Sequence, residues 1–264
     1  MISKRVFLVV GTDTGVGKTV FSGLFARYLM DNGVGVQAVK PFCAGGKADI
    51  EFLQAARDGL GEEEVNYWYS DEPISPAAAE LRLGQAVDFE GCVEWVKSRQ
   101  WLVGSEQGGL QSAGGVRQAG VLLVEGVGGL LAPLAKGKTV ASLGKAISAQ
   151  LIVVAPNRVG VINQVLLTVE AAAKRGLGVA CVVLMGQREA DLSSLDNAAL
   201  IRGFLPELVG FKGVFEFPWL GVGADDPGQI GVNVKKVEKV LAEIYEACKL
   251  RGPSGSGVSV QPSG

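Results

Sequence analysis

The stretch VFLVVGTDTGVGKT, Val6–Thr19, decides the fold. Its five consecutive apolar residues, Val6–Val10, suit a short central parallel strand buried on both faces. Gly11 ends the run, Gly15 and Gly17 follow, and Lys18 and Thr19 lead into an apolar helical pattern of Val20, Leu24, Ala26, Tyr28 and Leu29. Strand, glycine loop and helix is the order a phosphate cradle needs. Small residues let backbone N–H groups converge on phosphate oxygens, and the helix N-terminus adds a favourable dipole. In such a loop Lys18 brings a full charge to the β- and γ-phosphates, and the Thr19 hydroxyl is placed to ligate Mg²⁺. The spacing is unusual: Thr12, Asp13, Thr14, Gly15 and Val16 separate Gly11 from Gly17, one residue more than the common pattern. A fortuitous glycine turn is the bland alternative.

Working outward, 264 residues with 48% hydrophobic content are ample for a large α/β core. Alternating strand and helix patterns without an obvious linker predict a single domain over residues 1–250, with a flexible Gly-rich insertion near 104–120 and a disordered Gly/Ser/Pro-rich tail over 251–264. The net charge of −2 gives no reason to expect a nucleic-acid or membrane partner. The absence of histidine removes His general bases, His-containing triads and most zinc sites. Four cysteines without paired spacing read as free thiols in a reducing compartment. The apolar run after Lys4 and Arg5 leads into the glycine loop and not into a cleavage site, so a cytoplasmic protein is expected.

Along the chain, a first helix is expected over Lys18–Asp31, stopping at Asn32-Gly33. A second strand over Val34–Val39 ends at Lys40-Pro41, Phe42–Lys47 reads as a loop, and Asp49 opens a helix through Arg57. Glu62–Pro76, acidic and proline-broken, reads as a loop, and Pro76–Leu83 and Phe89–Trp101 as helices. Val121–Val124 is the next strand, with Glu125 just beyond it. A helix near Thr139–Ala149, strand Leu151–Ala155, helix Gly160–Arg175, strand Val179–Met185, helix Ala198–Leu205, strand Val214–Phe217 and helix Val232–Leu250 complete the order.

Ligands of open α/β sheets sit beyond the carboxyl ends of the parallel strands. That edge would gather the glycine loop, Lys40, Asp49, Glu125 and Pro156–Gly160. Two lysines for phosphates, with a hydroxyl and two carboxylates for Mg²⁺, make a coherent set. Singly, Lys40 reads as a solvated strand-end charge and Asp49 as a helix cap. Glu125 has less reason to be structural, because it ends an apolar VLLV run and precedes GVGG.

GTDTGVGKT with the longer spacing, Lys40-Pro41, Asp49, Glu72-Pro-Ile-Ser-Pro76, VEGVGGLLAPL and PNRVGVINQVLLT together resemble the dethiobiotin synthetases, in blocks from about Val6 to Leu220. The resemblance implies a P-loop NTPase-like α/β fold, a mostly parallel central sheet with helices on both faces. It also implies a cytoplasmic homodimer whose active site lies at the interface. Its chemistry would be ATP- and Mg²⁺-dependent closure of a ureido ring on 7,8-diaminononanoate with CO₂, a step toward biotin. By resemblance, nucleotide binding falls on Thr12, Asp13, Thr14, Gly15 and Val16, continues through Gly17, Lys18, Thr19 and Val20, and takes Pro218 and Trp219 on the base side. Thr19, Asp49 and Glu125 would hold the metal. Lys18, Lys40 and Thr14 would serve catalysis, and Lys40, Ala44 and Gly128 would face the diamine. Gly160, Val161 and Asn163 would dock the distant substrate carboxylate from the partner subunit.

The chain departs from the family's pattern at Gly15 and Ala44, where Glu and Ser are frequent. It departs again within Val183–Gln187, where Met185 and Gly186 replace an adenine-reading Asn. A related P-loop ligase that has lost the diamine site is therefore one alternative. A dimeric partitioning-type ATPase switch is another, although Thr12 or Asp13 stands where those proteins carry an extra lysine. A corrinoid amide synthase would need a Cys–His pair, which a chain without histidine lacks.

Overall fold

The computed structural model describes residues 5–102, 120–205 and 210–248. The expected insertion, apart from Gly120, and the expected tail lie outside them. In chain order the first half comprises β1 (Arg5–Gly11), α1 (Lys18–Asp31), β2 (Val36–Ala44), α2 (Ala48–Ala56), α3 (Glu62–Val65), β3 (Asn66–Ser70), α4 (Pro76–Leu83) and α5 (Phe89–Leu102). The second half comprises β4 (Val121–Gly129), β5 (Pro133–Ala135), β6 (Lys138–Thr139), α6 (Val140–Ala146), β7 (Gln150–Pro156), α7 (Val161–Ala173), β8 (Val179–Met185), α8 (Asn197–Phe204), β9 (Val214–Phe217) and α9 (Ile230–Cys248).

Seven strands form one sheet in the order β3-β2-β4-β1-β7-β8-β9, with every ladder parallel. The strands are apolar on both sides because each face is covered by helices. Leu8 and Val10 of β1 join the layer containing α5, α6, α7 and α8, while Phe7 and Val9 join the layer containing α1, α2 and α9. This is the P-loop NTPase-like arrangement expected from the sequence.

Strand register explains how a polar site forms at the edge of this core. Val39 of β2 pairs with Val124 of β4, and both point into the α5–α8 layer. Side chains alternate along strands, so the next residues, Lys40 and Glu125, face the opposite layer. There α1 contributes Thr19 near its start and α2 contributes Asp49 in its first turn.

Several expected boundaries need correction. β2 runs through Lys40 and Pro41 to Ala44, so Lys40 lies within a strand and Phe42–Ala44 is not a loop. Pro41 is tolerated because β2 changes partners there: pairing with β4 ends at Val39, and paired positions on β3 begin at Lys40 and resume at Phe42. Glu62–Pro76 is not a continuous loop. It contains α3 and the edge strand β3, whose Tyr67-Trp68-Tyr69 core has strong β preference. β4 continues through Glu125 to Gly129, and α6, entered from the β5–β6 hairpin, ends at Ala146, short of the expected Ala149. Asp49 does not cap α2: Lys47 holds the cap position, with no side-chain cap bond.

Candidate functional site

The glycines of the first βα turn answer to different constraints. A Cβ on Gly11 would lie 2.4 Å from the Asp13 carbonyl oxygen, so only glycine allows the longer loop to fold back. Gly15 and Gly17 adopt φ of 71° and 95°, left-handed values natural to glycine, and Gly17 is the N-cap of α1. Lys18 reaches back to the Asp13 carbonyl at 3.2 Å, and the Thr14 amide donates to Asp13 Oδ1 at 2.7 Å.

Beside this turn lies a tight charged cluster. The Lys40 ammonium is 2.5 Å from Glu125 Oε1 and 2.5 Å from Asp49 Oδ2. Thr19 donates its hydroxyl to the same Glu125 Oε1 at 2.7 Å. Lys40 is 2% exposed and Glu125 1%, and Glu125 Oε2 is buried without a hydrogen-bond partner among the described residues. Burial opposes the charge on Lys40, but Glu125 and Asp49 outweigh it and hold its pKa above the ordinary lysine value. Burial likewise opposes ionisation of Asp49, yet Lys40 and the Thr19 hydroxyl bring its pKa below the usual carboxylate value. Lys18 is lowered, first by burial and further by Lys40, against the pull of Glu125.

Thr19, Asp49 and Glu125 supply one hydroxyl and two carboxylates, one of which has an orphaned buried oxygen. That donor set fits an oxygen-seeking divalent cation whose remaining positions are filled by phosphate and water. No group of three or more His, Cys, Asp or Glu able to hold a metal occurs among the described residues.

A cleft of about 570 Å³ joins these residues to Thr14, Gly15, Gly17 and Val20, and to Ala44, Val127 and Gly128 at the ends of β2 and β4. It continues into a second cavity of about 330 Å³, walled by Asp13, Val16, Met185, Gln187, Pro218 and Trp219. The structure therefore gathers most of the expected site residues around one opening. Thr12 lines neither cavity; its amide bonds to the Val154 carbonyl, tying the loop to β7. Gly160, Val161 and Asn163 also stand outside both, at the start of α7, where Gly160 has φ of 89°.

Of the other lining residues, Arg158 and Gln187 lie in the segments Pro156–Gly160 and Val183–Gln187 that the sequence singles out, whereas Val127 and the turn Gly221–Asp225 line the opening without having been named. Gly186 is fixed by packing: its amide donates to the Phe217 carbonyl at 2.6 Å, and a Cβ there would meet the Trp219 amide nitrogen at 2.6 Å. No helix among the described residues is long and apolar enough to cross a membrane.

A family model described as an AAA domain matches residues 5–221. The ATP-dependent dethiobiotin synthetase BioD of Bacillus thuringiensis (strain Al Hakam) is 30% identical over 203 residues, covering 74% of this chain and 77% of that protein. The ATP-dependent dethiobiotin synthetase BioD of Anaeromyxobacter dehalogenans (strain 2CP-C) is 36% identical over 185 residues, covering 68% and 76%. A solved structure of chloroplast FtsY from Physcomitrella patens aligns with a TM-score of 0.47 and 17% identity, over 88% of this chain and 65% of that one, a likeness too loose to carry functional meaning. The matching family model and the level of identity to these relatives show that the chain belongs to the family of ATP-dependent dethiobiotin synthetases.

Proposed function

We propose that the chain closes a ureido ring on 7,8-diaminononanoate with CO₂ at the expense of ATP, giving dethiobiotin, ADP and phosphate. One observation carries this reading above all. A buried lysine, two carboxylates and a hydroxyl converge within hydrogen-bond distance beside a glycine loop, at a cleft open to small molecules.

The first amine adds to CO₂, losing a proton and forming a carbamate. A carbamate oxygen attacks the γ-phosphorus as the bond to the ADP oxygen breaks. The second amine then attacks the carbamoyl carbon, phosphate leaves with the former carbamate oxygen, and the amine gives up its proton. No step needs a histidine, because phosphoryl transfer depends chiefly on positioning and neutralisation of charge. The amides of Gly15 to Thr19, with Lys18, hold the phosphates. Lys40, with Thr14 beside it, stabilises the carbamate and the charge on the moving phosphoryl group. Thr19, Asp49 and Glu125 would hold Mg²⁺, which when bound would neutralise phosphate charge. Trp219, Pro218 and Val16 face the base.

The open space around Gly15, where a Cβ would meet nothing within 4 Å, supports a diamine site at that wall, with Ala44 and Gly128 nearby. We also propose a homodimer in which Gly160, Val161 and Asn163 of one subunit hold the substrate carboxylate of the other. The dipole at the N-terminus of α7 favours an anion there, and Val159, Leu192 and Leu195 beside it are 76%, 86% and 77% exposed. Incubation with the diamine, bicarbonate, ATP and Mg²⁺ is expected to give a product heavier than the diamine by one carbonyl less two hydrogens, read by mass spectrometry. ATP hydrolysis without that product would overturn the proposal.

A further inference from the structure

We infer that the Lys40 ammonium is a tethered stand-in for the divalent cation, occupying the Glu125–Asp49 carboxylate pair in the metal-free protein and passing to the reacting oxygens when the metal takes that pair. This rests on the metal and lysine roles proposed above.

Glu125 is 1% exposed, and a carboxylate so buried requires a counter-charge. Its Oε1 accepts from both Lys40 and Thr19, and the same lysine reaches Asp49. The three groups that would hold a metal are thus already tied together, both carboxylates by one ammonium. An ammonium at 2.5 Å from those oxygens and a divalent cation on the same oxygens repel each other. A metal that takes these same two oxygens therefore displaces the lysine. Its four-carbon stem permits that while the backbone stays in β2, and the cleft beside it is the space it can enter.

Two consequences follow for the reaction. The lysine keeps the carboxylates charged and aimed before any metal arrives, and it lowers apparent metal affinity by the fraction of time it occupies them. The ammonium that stabilises the moving phosphoryl group also becomes free only where metal is bound. An enzyme lacking metal thus has its cationic group locked away from substrate.

The test is titration of metal-free protein with Mn²⁺ alone, following free Mn²⁺ by electron paramagnetic resonance, for wild type, Lys40→Met and Lys40→Arg. Lys40→Met is expected to bind Mn²⁺ about ten-fold or more tightly than wild type, because no tethered cation competes. Lys40→Arg, which retains a cation, is expected to bind no more tightly than wild type. Equal or weaker binding by Lys40→Met would overturn the inference. If Lys40→Met does not fold, the wild-type protein decides the matter through the ¹H–¹⁵N resonance of its Lys40 ammonium. That resonance is expected to shift on saturation with Mg²⁺, and an unchanged resonance would overturn the inference. Neither readout involves ring closure. Tighter Mn²⁺ binding in a protein that makes no ring product would leave this inference standing and remove the proposed function, and the converse holds.

Discussion

The two ends of the cleft are built in opposite ways. At the proposed phosphate end, Lys18, Lys40 and Glu125 are 6%, 2% and 1% exposed and come from a helix start and the interior of two strands. At the proposed base end, Trp219 is 48% exposed and belongs to the connection between β9 and α9. Groups that must meet developing charge sit on elements locked by the core, where displacement is costly. The base needs only a surface to lie on, and a turn can supply one. The chemistry should therefore be sensitive to single atoms at one end and tolerant at the other.

The largest test of that contrast removes a charge at the phosphate end. Glu125→Ala and Lys40→Ala are each expected to reduce turnover on the order of 10³-fold, the loss typical of a preorganised electrostatic group. Lys40→Ala should also cost about 3–5 kcal/mol of stability in urea unfolding, because it strands the buried Glu125. Near-normal turnover in both variants would take this cluster out of the reaction.

Gly11→Ala comes next. Its Cβ would press on the Asp13 carbonyl and shift the loop, with an expected loss of about 10²-fold in kcat/KM. An unimpaired variant would mean that the loop's longer path carries no constraint. At the base end, Trp219→Ala should weaken nucleotide binding about ten-fold by calorimetry, as loss of one stacking surface does, while kcat holds. A collapse of kcat there would erase the distinction between the two ends.

The smallest effect is one of pH. Asp49 has a folded pKa below its ordinary value of 3.8, so its ion pair contributes stability above that pH and loses it as pH falls through the folded value. Lys40 is shifted upward, so its contribution is complete below its ordinary 10.5 and is lost only as pH rises through the higher folded value. The difference in thermal midpoint between wild type and Asp49→Asn should therefore be flat through neutral pH and shrink in acid below about pH 3.8. A difference that changes near neutrality would contradict the ion-pair assignment.

The phosphate end was largely legible in the sequence for physical reasons. An apolar run, glycines and a lysine at a helix start leave few other structures open to Val6–Thr19. Glu125 stood out because a carboxylate that ends an apolar VLLV run and precedes GVGG has little structural reason to be there. Legibility failed where tertiary pairing overrode local cues. Pro41 looked like a terminator after Lys40, yet β2 passes through it by exchanging β4 for β3. β3 was hidden because its aromatic strand lies between an acidic turn and prolines. The Asp49 carboxylate resembled a cap because nothing in local sequence shows that Lys40 lies across from it. The Gly221–Asp225 turn carries no periodicity, so its place on the cleft wall emerges only from the path of β9.

The most direct measurement follows an oxygen atom. With ¹⁸O-labelled CO₂, unlabelled water, the diamine and ATP, a carbamate oxygen transferred to the γ-phosphorus must leave in inorganic phosphate. One ¹⁸O per phosphate, formed in step with the ring product and lost together with it in Lys40→Ala, is the predicted result. Phosphate free of ¹⁸O would mean that water and not a carbamate receives the phosphoryl group, contradicting the account of what this cleft brings together.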